Sequence, residues 1–252
     1  MQIWKEMDMD IQLSISLLAS SRTGSLERCL DSLRPLLAKV PSELIVVLTG
    51  ADERVREIAA RYTDHIVPFT WRDDFSAARN AGLREAKGEW LLYIDDDEWF
   101  EDTEEICTFF LSGEYHRYSS ACYIQRNYLG WSGTEYMDYH ALRMAKRTDA
   151  LRFRGPIHEE LAVLPGPARY FDAYVHHYGY VKDLKADTMK TSRNIPLLLD
   201  EIKASPEEIK NYVQLTREYY IEGSWDEAER WCRKGRQVVK GMKGAQAEGW
   251  LQ

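Results

Sequence analysis

Asp95-Asp96-Asp97-Glu98 follows directly on the apolar run Trp90 to Ile94. Consecutive carboxylates repel one another, and that cost is easiest to understand where a divalent cation or several backbone donors sit among them. Mg²⁺ and Mn²⁺ prefer oxygen ligands and keep positions open for the phosphates of a substrate, so such a turn can fasten a diphosphate at a strand end. The plainer alternative is an acidic helix start, because Glu101, Asp102, Glu104 and Glu105 follow.

Three further segments carry polar chemistry. Trp71 to Asn80 places Asp73, Asp74, Arg79 and Asn80 around a helix start. Arg79 offers a rigid donor fork suited to phosphate or carboxylate, and a helix-surface ion pair with Asp73 or Asp74 explains it equally well. The loop Ser20 to Ser25 offers hydroxyls and backbone donors to a nucleotide, or caps a helix in the ordinary way. Three of the six histidines fall in Arg154 to Glu160 and Val175 to Tyr180. A carboxylate beside a histidine can act as general base towards a hydroxyl, and an imidazole can complete a metal's shell.

The elements that position these residues follow from periodicity. Gln12 to Ala19 reads as a strand, and Leu26, Leu30, Leu33, Leu36 and Leu37 recur at helical spacing. The order repeats with a strand at Leu44 to Leu48, a helix capped by Asp52, a strand at His65 to Phe69 and a helix capped by Ser76 and stopped by Gly88. Trp90 to Ile94 is apolar enough for a central parallel strand. This alternation predicts an α/β fold with a mostly parallel sheet and helices on both faces, binding ligands beyond the carboxyl ends of its strands. From Ser120 to Tyr178 the pattern shortens to strand-like pieces at Ala121 to Tyr128, Ala141 to Lys146 and Tyr170 to Tyr178. Beyond Val181 it turns helical over Leu184 to Ile202, Glu208 to Ile221 and Trp225 to Val239. The domain expectation is residues 1–203 followed by a helical appendage over 204–252.

At 252 residues and 44% hydrophobic content the chain can bury a sizeable core. Its net charge of −8 argues against nucleic-acid binding, which rests on clustered Lys and Arg. Cys29, Cys107, Cys122 and Cys232 are widely spaced, which suggests buried thiols in a reducing compartment. Met1 to Asp10 is acidic rather than a basic leader, and no stretch has the length of a membrane span. The expectation is a cytoplasmic protein, at most peripheral to a membrane.

Taken together, Asp95 to Glu98, Asp74 to Asn80, His158-Glu159 and His177-Tyr178-Gly179-Tyr180 resemble, in kind and order, bacterial members of glycosyltransferase family 2 with the GT-A fold. The resemblance covers roughly Leu13 to Leu199. It implies inverting transfer of a sugar from a nucleotide diphosphate donor, commonly a UDP-sugar, with Mn²⁺ or Mg²⁺. The acceptor it implies is a saccharide, lipid-linked or peptide hydroxyl. Asp95 and Asp97 look like the acids of the family's Asp-x-Asp motif, Asp97 as metal ligand and Asp95 beside the donor ribose or the metal. Asp96, Ser20, Asp74, Arg79 and Asn80 join the donor-binding set. His177 is expected at the metal or diphosphate, and Lys190 or Arg193 at the phosphates. His158 and Glu159 match a His-Glu pair near the acceptor, with Glu159 the candidate base.

The run Val47-Leu48-Thr49-Gly50 departs from the family's Val-Asp-Thr-Gly, so Leu48 stands where an aspartate would contact the base of the donor. In the tail, Tyr212, Leu215, Tyr219, Gly223, Ala228 and Cys232 resemble about one tetratricopeptide repeat, a unit that needs a neighbour to stack on and suits dimerisation or partner binding. The end at Gly249 to Gln252 reads as a truncated array. Two other classes fit the same features: a nucleotidyltransferase on a similar sheet, and a non-catalytic scaffold that binds a partner through the tail.

Overall fold

The computed structural model describes residues 11–50, 52–162, 165–179 and 184–241, with the side chains of 184–192 left out. The readings of the acidic N-terminus and of Gly249 to Gln252 lie outside the described residues. The chain divides into two compact units: one runs to Arg154 and resumes over Glu159–Val181, and the other comprises Gly155–His158 and the chain from Lys182 onward.

The first unit begins with β1 (Leu13–Ala19), α1 (Thr23–Lys39), β2 (Ser42–Leu48), α2 (Glu53–Ala60), β3 (Ile66–Pro68), α3 (Phe75–Glu85) and β4 (Trp90–Asp95). There follow β5 (Glu98–Phe100), α4 (Glu104–Leu111), β6 (Ser120–Tyr128), β7 (Tyr136–Lys146), the hairpin of β8 (Arg152–Arg154) and β9 (Glu160–Ala162), and β10 (Ala168–His177). The main sheet has 8 strands in the order β3-β2-β1-β4-β7-β6-β10-β5. Its first four strands are mutually parallel, β7 runs antiparallel to both β4 and β6, β10 is parallel to β6, and β5 is antiparallel to β10. The expected α/β architecture is present, and the sheet is mixed in its second half.

Alternate residues of β1 serve opposite faces, as the pleat requires. Leu13, Ile15, Leu17 and Ala19 pack with Leu26, Leu30, Leu33 and Leu36 of α1, while Leu18 joins Ile45, Val47, Leu91 and Tyr93 against Ala78 and Ala81 of α3. Burying a leucine or isoleucine of this kind contributes about 1.5–3 kcal/mol. α3 lies close on the sheet because Gly82 has no side chain: a Cβ there would come within 2.2 Å of Ser16 Oγ.

Several boundaries differ from expectation. α3 is capped by Asp74, whose carboxylate accepts from Ala77 N at 2.8 Å, rather than by Ser76, whose hydroxyl itself donates to Asp74. β7 starts at Tyr136, where exposed residues hide its apolar signal, and β5, β8 and β9 are too short for periodicity to reveal. Cys29, Cys107 and Cys122 are buried thiols as expected, but Cys232 is exposed.

The second unit contains α5 (Leu184–Ala204), α6 (Ile209–Glu222) and α7 (Trp225–Gly241). Its core joins Ile157, Leu198, Ile202, Tyr212 and Leu215. That packing groups α5 with α6, whereas the sequence reading divided the chain between them at 203/204. Gly223, with φ +86°, ends α6 in the left-handed conformation. No helix among the described residues is long and apolar enough to cross a membrane.

Candidate active site

Strand order 3-2-1-4 reverses between β1 and β4, and at such a reversal the loops leaving the two strands part and open a crevice. The loop after β1 carries Ser20 and Arg22, and β4 ends at Asp95, which opens the acidic turn. Because β6 and β10 run in the same direction as β4, their carboxyl ends bring Asn127 and His177 to the same edge.

Each acid of the turn has a defined partner. Asp96, only 4% exposed, accepts from Ser20 N at 2.8 Å and Ser20 Oγ at 2.9 Å, and Arg22 Nη1 reaches its other oxygen at 3.2 Å. Burial pushes its carboxyl up, and Arg22 and Ser20 oppose that shift. Asp97 Oδ2 also accepts from Arg22 Nη1. Glu98 is fully buried and accepts from Arg143 Nη2 at 2.7 Å, from Gln125 Nε2 and from the backbone N of Asp95 at 3.1 Å. Burial together with Asp95 and Asp97 raises Glu98 to about 8, against the pull of Arg143.

Asp95 lies beneath two arginines. Arg79 Nη2 donates to its Oδ1 at 2.7 Å, and Arg143 Nη1 stands 3.5 Å from Oδ2. Burial works against the Asp95 charge, but Arg79 and Arg143 outweigh it and hold the carboxyl at about 2. Both guanidinium groups lie 4.9 Å from the Tyr93 ring centroid, so the ring helps to stabilise both cations. Arg79 also donates from Nε to Glu159 Oε1 at 2.9 Å. It thereby links Asp95 at the end of β4 to Glu159, which immediately precedes β9.

His177 faces Asp97, with Nε2 3.8 Å from Oδ1. Asn127 orients the imidazole: its Nδ2 donates to Gln125 O at 3.3 Å, so its Oδ1 accepts from His177 Nδ1 at 2.6 Å. A neutral ring held in this way presents Nε2 as its lone-pair nitrogen, the arrangement that orients a metal-binding histidine. Gly179 lets the chain pass close by, since a Cβ there would lie 2.3 Å from His177 Nε2 and 3.1 Å from Asp97 Oδ2.

Asp95, Asp97 and His177 do not converge as a ligand set, and no three metal-binding side chains do so among the described residues. The reason is electrostatic: Asp95 is turned to Arg79 and Arg143. Asp97 and His177 remain a pair. One carboxylate and one imidazole fit a hexacoordinate cation whose other positions belong to water and substrate phosphates.

The other expected residues lie in different places. Asp74 caps α3, and Asn80 spends both amide atoms on the backbone of Phe153 in β8, at 2.9 Å each. His158 groups with the helical unit: Lys210 Nζ donates to its carbonyl at 2.7 Å, and its Nε2 is 4.0 Å from Glu218. Its φ of +50° turns the chain just before Glu159. Arg193 donates to Asn194, and Lys190 falls in α5 with its side chain outside the described residues. Sequence reasoning missed Arg22, Arg143 and Asn127. A charged residue at an otherwise apolar stretch of β7, Ala141-Leu142-Arg143-Met144-Ala145, was the available signal for Arg143.

Residues 21–160, from the β1–α1 loop through Glu160, match the model of the family described as Glycosyl transferase family 2. The chain belongs to that family. Among curated proteins it is 25% identical to a TPR repeat-containing protein of Synechococcus elongatus, over 89% of this chain and 56% of that one. It is 24% identical to the SPbeta prophage-derived glycosyltransferase SunS of Bacillus subtilis, over 88% of this chain and 52% of that one. The chain thus spans about half the length of these relatives. Among solved structures it is similar in fold to S. aureus TarS 1-349 in complex with UDP-GlcNAc, with a TM-score of 0.51 at 13% identity, covering 92% of this chain and 82% of that one.

Proposed function

We propose that this chain transfers a sugar from a nucleotide diphosphate donor, in the first instance a UDP-sugar, to an acceptor hydroxyl with inversion at the anomeric carbon. The observation that carries this reading is the meeting of Ser20, Arg22, Asp97 and His177 at the strand-order reversal, in a member of glycosyl transferase family 2. A solved structure of similar fold contains UDP-GlcNAc, which supports a nucleotide-sugar donor.

Asp97 and His177 would hold Mn²⁺ or Mg²⁺, which when bound supplies positive charge to the departing diphosphate. Ser20 fixes the acidic turn beneath the donor, and Arg79 positions Glu159. The acceptor oxygen bonds to the anomeric carbon as the carbon–oxygen bond to the diphosphate breaks. Glu159 takes the acceptor's proton and the nucleoside diphosphate leaves with the bonding pair. Nearby, Tyr178 stacks on Tyr128 at 4.2 Å and on Trp99 at 5.4 Å, with Trp131 6.0 Å away and 72% exposed. Such aromatic faces suit the ring of an acceptor saccharide.

The test is product analysis with UDP-sugars and a panel of saccharide, lipid-linked and peptide acceptors. Release of nucleoside diphosphate together with a glycosylated acceptor supports the reading. Release of pyrophosphate from a nucleoside triphosphate, or nucleotide binding without turnover across the panel, contradicts it.

A further inference from the structure

The three arginines of the site are not equivalent. Arg79 and Arg143 have side chains 3% and 13% exposed, held beneath Asp95, Glu98 and Glu159. Arg22 is 43% exposed and reaches the turn from outside. It uses a single nitrogen, Nη1, on both Asp96 Oδ1 and Asp97 Oδ2. Asp96 also accepts from Ser20 N and Oγ, through the oxygen that Arg22 does not touch. Asp97 is different: with Arg22 on one oxygen and His177 Nε2 3.8 Å from the other, its carboxylate is the place where a fixed cation and an incoming one meet.

Two like charges on one carboxylate repel, so a divalent cation on Asp97 weakens the hold of Arg22 and Arg22 weakens the hold of the cation. A donor diphosphate reverses the preference, because it gives both cations an anion to share. The guanidinium is a planar fork that matches phosphate oxygens. Arg22 also stands at the N-terminal end of the 17-residue helix α1, which has no side-chain cap and no acid in its first turn, a setting that favours an anion.

We propose that Arg22 and a divalent cation exchange on Asp97, and that the released guanidinium takes the diphosphate of the donor. This rests on the nucleotide-sugar reading above. Arg22 is then a positioning residue without metal and a ligand of the donor with it.

The experiment measures Mn²⁺ alone, by calorimetry or by electron paramagnetic resonance of the free ion, against wild type, Arg22→Ala and Arg22→Lys. UDP is then titrated at saturating Mn²⁺. The expected result for R22A is Mn²⁺ affinity raised about tenfold and UDP affinity lowered about tenfold, with R22K intermediate in both. These opposite signs are the signature, since a merely structural loss would weaken both. Unchanged or weaker Mn²⁺ binding in R22A, or unchanged UDP binding, overturns the proposal. If R22A does not fold, R22K carries the same comparison. Should the exchange fail while the wild type still releases UDP to an acceptor, sugar transfer stands; should the wild type bind no UDP, the functional reading itself fails.

Discussion

Arg79 donates through Nε to Oε1 of Glu159 at 2.9 Å, across 80 residues of sequence. Its Nη2 holds Asp95 at 2.7 Å, so a single buried guanidinium ties the end of β4 to the residue that precedes β9. Removing Arg79 takes the guanidinium from Glu159 and leaves Asp95 with Arg143 alone, and breaking a buried pair in this way costs about 3–5 kcal/mol. Arg79→Ala is expected to lose stability by that amount. Arg79→Lys is expected to lose more than half of it, because one ammonium cannot reproduce two directed donors. Urea unfolding of the variants checks both, and a loss below about 1 kcal/mol for R79A would show that the cluster contributes little.

Asp95, half-buried, and Glu98, fully buried, set a stability profile with two limbs. Asp95 is held at about 2, below its unfolded value of about 3.9. Its contribution is therefore present above about pH 4 and lost as pH falls towards 2. Glu98 moves the other way, to about 8 against about 4.3 unfolded. A carboxyl that binds its proton more tightly when folded makes stability fall as pH rises between those values. Stability should thus peak near pH 4 to 5 and decline towards 8. Glu98→Gln should flatten the alkaline limb and leave the acid limb in place. Denaturant unfolding from pH 3 to 9 measures this, and an unaltered alkaline limb in E98Q would assign it to another group.

Leu48 gives the third expectation. An aspartate at this position reads from sequence as a route to better donor-base discrimination. In the structure Leu48 is 4% exposed and packs in the core with Leu17, Ala19, Val55 and Ala59. Leu48→Asp buries a carboxylate there and is expected to cost several kcal/mol, on the order of 3 or more. A thermal melt within a few degrees of wild type, together with changed UDP against GDP preference, would show instead that the side chain turns to the donor.

Much of this was legible in the sequence, for identifiable reasons. The leucine spacing of α1 and the apolar runs of β1, β2 and β4 mark elements buried along a face or on both faces, and periodicity reports burial directly. The acidic turn was legible because it follows such a run. The partners of the turn were not. Arg143 meets Asp95 and Glu98 only because β7 pairs with β4, a neighbour relation that spans 48 residues to Asp95 and that no local pattern encodes. Asn80 looked like a ligand-binding amide because amides serve ligands and backbone alike; its two bonds to Phe153 decide which.

The chemical step separates Glu159 from its neighbour. With an acceptor in hand, Glu159→Gln is expected to leave UDP-sugar affinity nearly unchanged and to lower single-turnover transfer about a hundredfold. His158→Ala should reduce it much less, since His158 groups with the helical unit and Glu159 with the first unit, which carries Asp97 and His177. Glu160, exposed in β9, serves as control through Glu160→Gln. A near-normal rate for E159Q would remove Glu159 from the role of base.

We propose that a nucleotide diphosphate binds at the carboxyl ends of β1, β4 and β10 with a cation on Asp97. The most direct measurement is calorimetric titration of UDP, GDP and dTDP into wild type and Asp97→Asn, each with Mn²⁺ and with excess chelator. At least one nucleotide is expected to bind the wild type with Mn²⁺, its affinity falling about tenfold or more on chelation and on D97N substitution. Equal affinity with and without the metal, or an undiminished affinity in D97N, would contradict it.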